Sequence, residues 1–273
     1  MLPRFRLVDL SHPFSVHTPG WAGYPPVKVY TIQRFSSHDI LAQYIETPLH
    51  VSTHIDGQMH GIPGGADIAS FPLARCFGEG VIVDISDCVG DWDIITPEML
   101  TSKVPVKKGD ILVYYTGYKK YYPGYEAEDE PRYFLRHPGG DRRLAEWFVE
   151  MQFAWTAVDC GSADHPMNTT IRRMRRDLVE EYEDLVRKKV HEVFPKEDLF
   201  AMHRVPFPHN ILHVENLGGD VEQVLNRRCL IGVFPWKFVG GESSIARVVA
   251  FIPEDEWEER PAPQAPATPA PGA

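Results

Sequence analysis

What most limits the fold of this chain is a series of short β-rich runs spread along its length. They are FRLVDL (5–10), VKVYTI (27–32), VIVDIS (81–86), ILVYY (111–115), WTAVD (155–159), CLIGVF (229–234) and ARVVAFI (246–252). Several are apolar throughout, the pattern of strands covered on both faces. Helical signals fall between some of them. DRRLAEWFVEM (141–151) sets Leu144, Phe148 and Met151 at helical spacing, and TPEML (96–100) reads as a short capped turn. Strands interleaved with helices and Gly/Pro-rich loops predict an α/β domain with a mixed, barrel-like sheet and flanking helices.

One segment stands apart. Residues 168–193, NTTIRRMRRDLVEEYEDLVRKKVHEV, predict one long charged helix capped at Asn168 or Thr169. Ile171, Met174, Leu178, Tyr182 and Leu185 follow at spacings of three or four and form one apolar stripe. Seven basic and six acidic residues between 171 and 193 nearly cancel, so RRMRR is no nucleic-acid signal. The stripe is expected to pack on the body or on a second subunit.

A chain of 273 residues with 43% hydrophobic content can bury a sizeable core. A net charge of −10 argues against nucleic acid and anionic membranes as partners. No stretch approaches the length of a membrane span, and the N-terminal residues lack the long apolar run of a secretory leader. Cys76, Cys88, Cys160 and Cys229 are scattered with no CxxC pair, as expected of reduced thiols in the cytoplasm. At the other end, EDEWEER (254–260) has five acids against one arginine, and PAPQAPATPAPGA (261–273) has no charge and five prolines. The expected organisation is one domain over 1–255, followed by an acidic and then Pro/Ala-rich disordered tail over 256–273.

Residues 50–60, HVSTHIDGQMH, gather His50, His54, Asp56 and His60. Val51, Thr53 and Ile55 are poor helix formers, and on a helix Asp56 would face away from His54. An irregular turn leaving the strand ILAQYIET (40–47) brings them together better. Neutral imidazoles with a carboxylate and no thiolate suit Zn²⁺, Mn²⁺ or Fe²⁺ in a catalytic site with an open position. A second group lies far downstream in MHRVPFPHNILHVENLGG (202–219), which holds His203, His209, His213 and Glu215. NILHVEN alternates like a strand, so Ile211, His213 and Glu215 share a face; His213 reads as a core or rim residue and Glu215 as a carboxylate ligand.

The first run resembles HxGTHxDxPxH, the signature of the metal-dependent hydrolases of the cyclase family. VDLSHPF (8–14), GEGVIVDIS (78–86), HVENL (213–217) and GGESSIARVVAFI (240–252) resemble further segments of that family in the same order. Ser52 and Gln58 stand where the pattern has glycine and proline, so the substrate pocket is expected to differ. The resemblance implies a swivelling β/β/α-type fold. It assigns His50, His54 and Asp56 to one divalent ion, with Asp56 able to bridge to a second held by His203 and Glu215. His209 is the reserve for His203, because prolines interrupt the run after His203. His60 matches the family's acid/base residue. Trp21, Tyr24 and Phe35 follow the first turn, where family members line the pocket. Asp164, His165 and Asn168 in SADHPMN (162–168) are candidates for contacting the substrate or supporting the site.

The implied chemistry is hydrolysis of an amide or ester bond (a cyclic amide, lactone or N-formyl group) in a small aromatic or unsaturated compound. Metal-bound hydroxide attacks, and a histidine acid/base moves the proton. Zinc or manganese, one ion or two, and a homodimer or larger assembly are expected. A metal-dependent lyase or cyclase on a similar molecule, or a non-catalytic metal-binding scaffold, are the alternatives. Other catalytic systems find no support: there is no GxSxG elbow, CGSAD (160–164) lacks its second glycine, and the Gly-Gly pairs in GIPGGAD (61–67) and FVGGES (238–243) lack a phosphate-loop setting and read as turns.

Overall fold

Each of the seven β-rich runs becomes a strand. The computed structural model describes residues 4–257; the Pro/Ala-rich segment and the last acidic residues lie outside the described residues. The strands are β1 (Phe5–Asp9), β2 (Lys28–Gln33), β3 (Ala42–Glu46), β4 (His54–Asp56), β5 (Phe77–Asp84), β6 (Ile111–Tyr115), β7 (Trp155–Val158), β8 (Leu212–Glu215), β9 (Arg227–Pro235) and β10 (Ser243–Pro253). Short helices punctuate them: α1 (Phe35–His38), α2 (Gln58–Gly61), α3 (Pro97–Thr101), α4 (Glu130–Leu135), α5 (Arg142–Met151), α6 (Ile171–Met174), α7 (Arg176–Val186), α8 (Val190–Val193) and α9 (Ala201–Arg204).

Seven strands close into a mixed barrel in the order β10-β4-β8-β7-β6-β5-β9, with β9 pairing back onto β10. Neighbours from β5 through β8 run parallel and the remaining joints are antiparallel. The eleven-residue β10 pairs with β4 through Ser243–Ile245, then with β1 through Val249–Pro253. β2 and β3 form a separate two-stranded arm.

Alternation along the strands builds two apolar layers. Ile55, Ile82, Val113, Ala157, Val214, Val233 and Val248, one from each barrel strand, share one buried cluster, which is the barrel interior. Val81, Val83, Leu112, Tyr114 and Val158 point the other way and pack with Leu144, Ala145 and Phe148 of α5. Both faces are covered, which is why residues 81–83 and Ile111–Tyr115 are apolar at every position. Asp141 caps α5 by accepting the Leu144 N–H at 3.0 Å, satisfying a donor that the helix start leaves open.

The single long helix expected over 168–193 is not present. The chain breaks at Arg175 (φ −127°, ψ 77°) and again at Arg187, which is left-handed, giving α6, α7 and α8 in its place. The apolar stripe is divided accordingly. Ile171, Leu178, Val179 and Tyr182 are buried beside Trp92, Met167 and Phe194, whereas Met174 and Leu185 are exposed. A straight helix would hold Ile171 and Tyr182 on one line; the bend lets both reach the pocket beneath Trp92. Asn168 belongs to a preceding turn, and the Thr169 hydroxyl accepts the Ile171 N–H. No helix among the described residues is long and apolar enough to cross a membrane.

Candidate metal centre

The antiparallel joint between β4 and β8 places His54 opposite Glu215 and Asp56 opposite His213. Directly paired residues project on the same side of a sheet, so these four share one face. Ile55 and Val214 between them face the barrel interior. The four polar side chains therefore stand on the outer face of the barrel, yet all are buried. Three more histidines close over them: His50 from the turn before β4, His60 from α2 and His203 from α9. The expectation of an irregular turn holds for residues 50–53, but 54–56 is a strand, and it is strand pairing that aligns the cluster.

Asp56 is the hub. Its Oδ1 lies 3.1 Å from His50 Nδ1 and 3.4 Å from His54 Nε2, and its Oδ2 lies 3.4 Å from both His203 Nε2 and His213 Nε2. Glu215 Oε1 is 3.2 Å from His213 Nε2 and 4.0 Å from His203 Nε2; Oε2 is 3.7 Å from His54 Nε2. Two ligands about 2.1 Å from a common ion and at tetrahedral to right angles are themselves about 3–3.4 Å apart. The spacing therefore matches co-ligands better than hydrogen-bond partners. Both Asp56 oxygens, His54 Nε2 and His213 Nε2 are buried with no hydrogen-bond partner. A charge left so is very costly unless a cation satisfies it. The donor set fits a divalent ion on each side of Asp56, one toward His50 and His60 and one toward His203, His213 and Glu215.

The far nitrogens are held as metal ligands require. His54 Nδ1 is 3.0 Å from the Ser52 carbonyl, and His203 Nδ1 is 2.6 Å from Asp164 Oδ2. His50 Nε2 is 2.8 Å from Glu242 Oε2. Glu215 Oε1 accepts from the Ser162 hydroxyl at 2.9 Å and the Ala163 N–H at 2.8 Å. Burial depresses imidazoles, but Asp56 and Glu242 raise His50 to about 11, and Asp164, Asp56 and Glu215 raise His203 to about 10. Burial also works against the carboxylates, yet the surrounding histidines hold Glu215 down at about 2 and Asp56 well below its usual range. Without a metal, the buried carboxylates stay ionised and the imidazoles of His50 and His203 that face them are held in the charged form.

The two departures from the motif have local explanations. Ser52 is left-handed at φ 54°, a conformation glycine adopts without cost, and Asn216 Nδ2 donates to its carbonyl at 3.0 Å. Gln58 reaches away from the site, donating at 2.8 Å to both the Phe207 carbonyl and Asn210 Oδ1.

Trp21 and Tyr24 line a cavity of about 400 Å³ whose wall also includes His50, His60, His203 and Glu215. The other expected contacts lie elsewhere. Phe35 is 69% exposed on α1 and lines no part of this cavity. His165 is sealed, with Nε2 2.8 Å from the Trp92 carbonyl, and Asn168 donates to the Asp198 carbonyl at 2.9 Å. Asp164 supports the site through His203. His209 is exposed and faces a different surface hollow beside Arg75, so His203 is the member of that pair in the cluster. His213, expected as a core or rim residue, belongs to the cluster because β8 pairs with β4 in this register. Glu242 carries no role from the sequence alone; its signal is an acid at the mouth of the last strand, in a GGES segment that reads as a turn and as the opening of the family's closing segment.

Comparison with known proteins follows this geometry. Residues 8–165 match the family model Cyclase, described as "Putative cyclase". The chain is similar to isatin hydrolase A from Ralstonia solanacearum, at 18% identity and a TM-score of 0.70, covering 91% of this chain and 92% of that one. It is also similar to an isatin hydrolase bound to the product analogue thioisatinate (17% identity, TM-score 0.71, 92% and 93% covered). A potential metal-dependent hydrolase with cyclase activity gives 19% identity and a TM-score of 0.64 over 94% of this chain and all of the other. At these identities the likeness is one of fold. No curated protein matches the chain.

Proposed function

Because the chain belongs to the Cyclase family and so takes its place among metal-dependent hydrolases, we propose that it opens an amide or ester bond of a small substrate. The bond is a cyclic amide, lactone or N-formyl bond, and the substrate is aromatic or unsaturated. One observation carries the reading: partnerless buried nitrogens and carboxylate oxygens converge beside a cavity that a single aromatic ring can enter. Isatin hydrolases stand among the structural neighbours, so a fused cyclic amide is the first compound to try.

His50, His54 and Asp56 would hold one divalent ion, with His50 Nδ1 3.1 Å and His54 Nε2 3.4 Å from Asp56 Oδ1 and His60 grouped beside them. Asp56, His203, His213 and Glu215 would hold a second, zinc or manganese by the chemistry of the donors. When bound, such an ion supplies hydroxide near neutral pH by lowering the pKa of water from about 16 to about 7. The chain's own residues do the rest. Asp164 and the Ser52 carbonyl fix the rings of His203 and His54, so the ligands need not reorganise. Trp21 and Tyr24 offer apolar walls that orient a flat ring and exclude water. His60, on the cavity wall, passes a proton to the departing nitrogen or oxygen. Assembly as a homodimer or larger, and a cytoplasmic setting, complete the proposal.

Elemental analysis of the purified protein should find zinc or manganese. Assay on a panel of isatins, N-formyl anilines and unsaturated lactones should then find turnover, with oxygen-18 from solvent entering the product. Metal without turnover on any member of the panel would overturn the substrate class.

A further inference from the structure

Glu242 is the residue before β10. Because Ser243 pairs with Asp56, Glu242 stands against Gly57, whose N–H donates to the Glu242 carbonyl at 2.9 Å. Gly57 immediately precedes α2, the helix that carries His60, and a Cβ there would lie 3.0 Å from that carbonyl. The backbone thus locks the acid beside the helix whose histidine it meets.

The side chain completes the contact. Glu242 Oε2 lies 2.9 Å from His60 Nδ1 and 2.8 Å from His50 Nε2, with the two rings 4.1 Å apart. A carboxylate only accepts, so both nitrogens donate to it. Among the described residues the His60 ring has no other hydrogen-bond partner. A neutral His60 held this way carries its proton on Nδ1 and keeps its lone pair on Nε2.

We propose that Glu242 is a positioning residue for His60, fixing its tautomer and its aim into the cavity; the inference rests on the hydrolase reading above. In the reaction, His60 Nε2 takes the proton that the nucleophilic water gives up on becoming the attacking hydroxide, which then forms the new C–O bond. His60 returns that proton to the leaving nitrogen or oxygen as the scissile bond breaks. Glu242 stays ionised throughout and faces the imidazolium between the two transfers. Glu242 is 35% exposed, so water screens its charge and orientation is the larger part of its contribution.

The test uses metal-loaded Glu242→Gln and Glu242→Asp, with ¹⁵N NMR of the His60 ring and the double variant with His60→Ala. With metal kept saturating, because Glu242 also holds the far nitrogen of His50, Glu242→Gln should lower kcat by about 10–100-fold with KM near the parent value. Glu242→Asp should recover part of the loss. The double variant should be no slower than His60→Ala alone. The ring should shift from the Nδ1–H form toward a mixture of tautomers. An unchanged tautomer, additive losses in the double variant, or a loss reversed by reloading metal would overturn the assignment. If the parent protein turns over none of the panel, the proposed substrate class falls, and the NMR signal still decides whether Glu242 sets the ring.

Discussion

His54 on β4 and His165 behind Trp92 are both fully buried, but their surroundings differ in kind. His165 has both nitrogens occupied: Nε2 meets the Trp92 carbonyl at 2.8 Å and Nδ1 accepts the Met167 N–H at 3.1 Å. Its ring lies against Phe194 and Tyr182, and burial pushes it down to about 3. His54 has one nitrogen on a backbone carbonyl and the other bare, facing Asp56 and Glu215. Burial therefore does not mark a functional histidine. A buried ring with both nitrogens bonded to backbone stabilises a fold; one with a bare nitrogen turned to carboxylates awaits a cation.

The sharpest way to break this contrast is Asp56→Asn. Removing the charge that every ring in the cluster faces should abolish metal binding and lower turnover by at least roughly 10³-fold. Retained metal and activity would mean that the convergence is only packing. His60→Ala comes next. Its Nδ1 is taken up by Glu242 and its ring is not among the partnerless buried atoms, so metal content should persist while kcat falls by about 10²–10⁴-fold. If metal is lost and turnover returns on reloading, His60 belongs with His54 instead. His165→Ala should show the reverse pattern: a stability loss of about 2–4 kcal/mol from the emptied space and the orphaned Trp92 carbonyl, read by denaturant unfolding, with metal stoichiometry unchanged.

Local pattern revealed the strands, α5 and the first metal-ligand run, because alternation and helical spacing are properties of neighbouring residues. Glu215 is readable as a ligand from its place on a strand, whereas His203 is accessible only through the family spacing. What stayed hidden depends on pairing between distant segments. Glu242 reaches His50 across 192 positions because β10 lies beside β4, and no local pattern encodes that register. His213 is buried as the core reading expects, but its place in the cluster is hidden for the same reason: its strand face is evident and what the face meets is not. The break at Arg175 has no glycine or proline to announce it; packing beneath Trp92 imposes it. Phe35 was placed by its distance from the first turn, whereas β2 and β3 carry it away on their arm.

The smallest effect is a difference in sign. His165 and His137 are pushed down by burial from 6.5 to about 3 and about 4, so between those values and about 6.5 the unfolded chain binds more protons than the native one. Their share of stability is whole above about 6.5 and drains away as the pH falls. His50 and His203 behave oppositely in metal-free protein. Raised to about 11 and about 10, their share is whole below 6.5 and is lost as the pH climbs through those values. Ligation demands neutral imidazole, so metal uptake at pH 7 must expel these protons, and affinity should strengthen as the pH rises. Thermal unfolding against pH should show an acid limb whether or not a chelator is present, and an alkaline limb only with it. Titration calorimetry in two buffers of different ionisation enthalpy should count the protons released. Uptake without proton release would show both rings neutral beforehand, and the cluster would then differ from the pocket around His165 in geometry but not in charge.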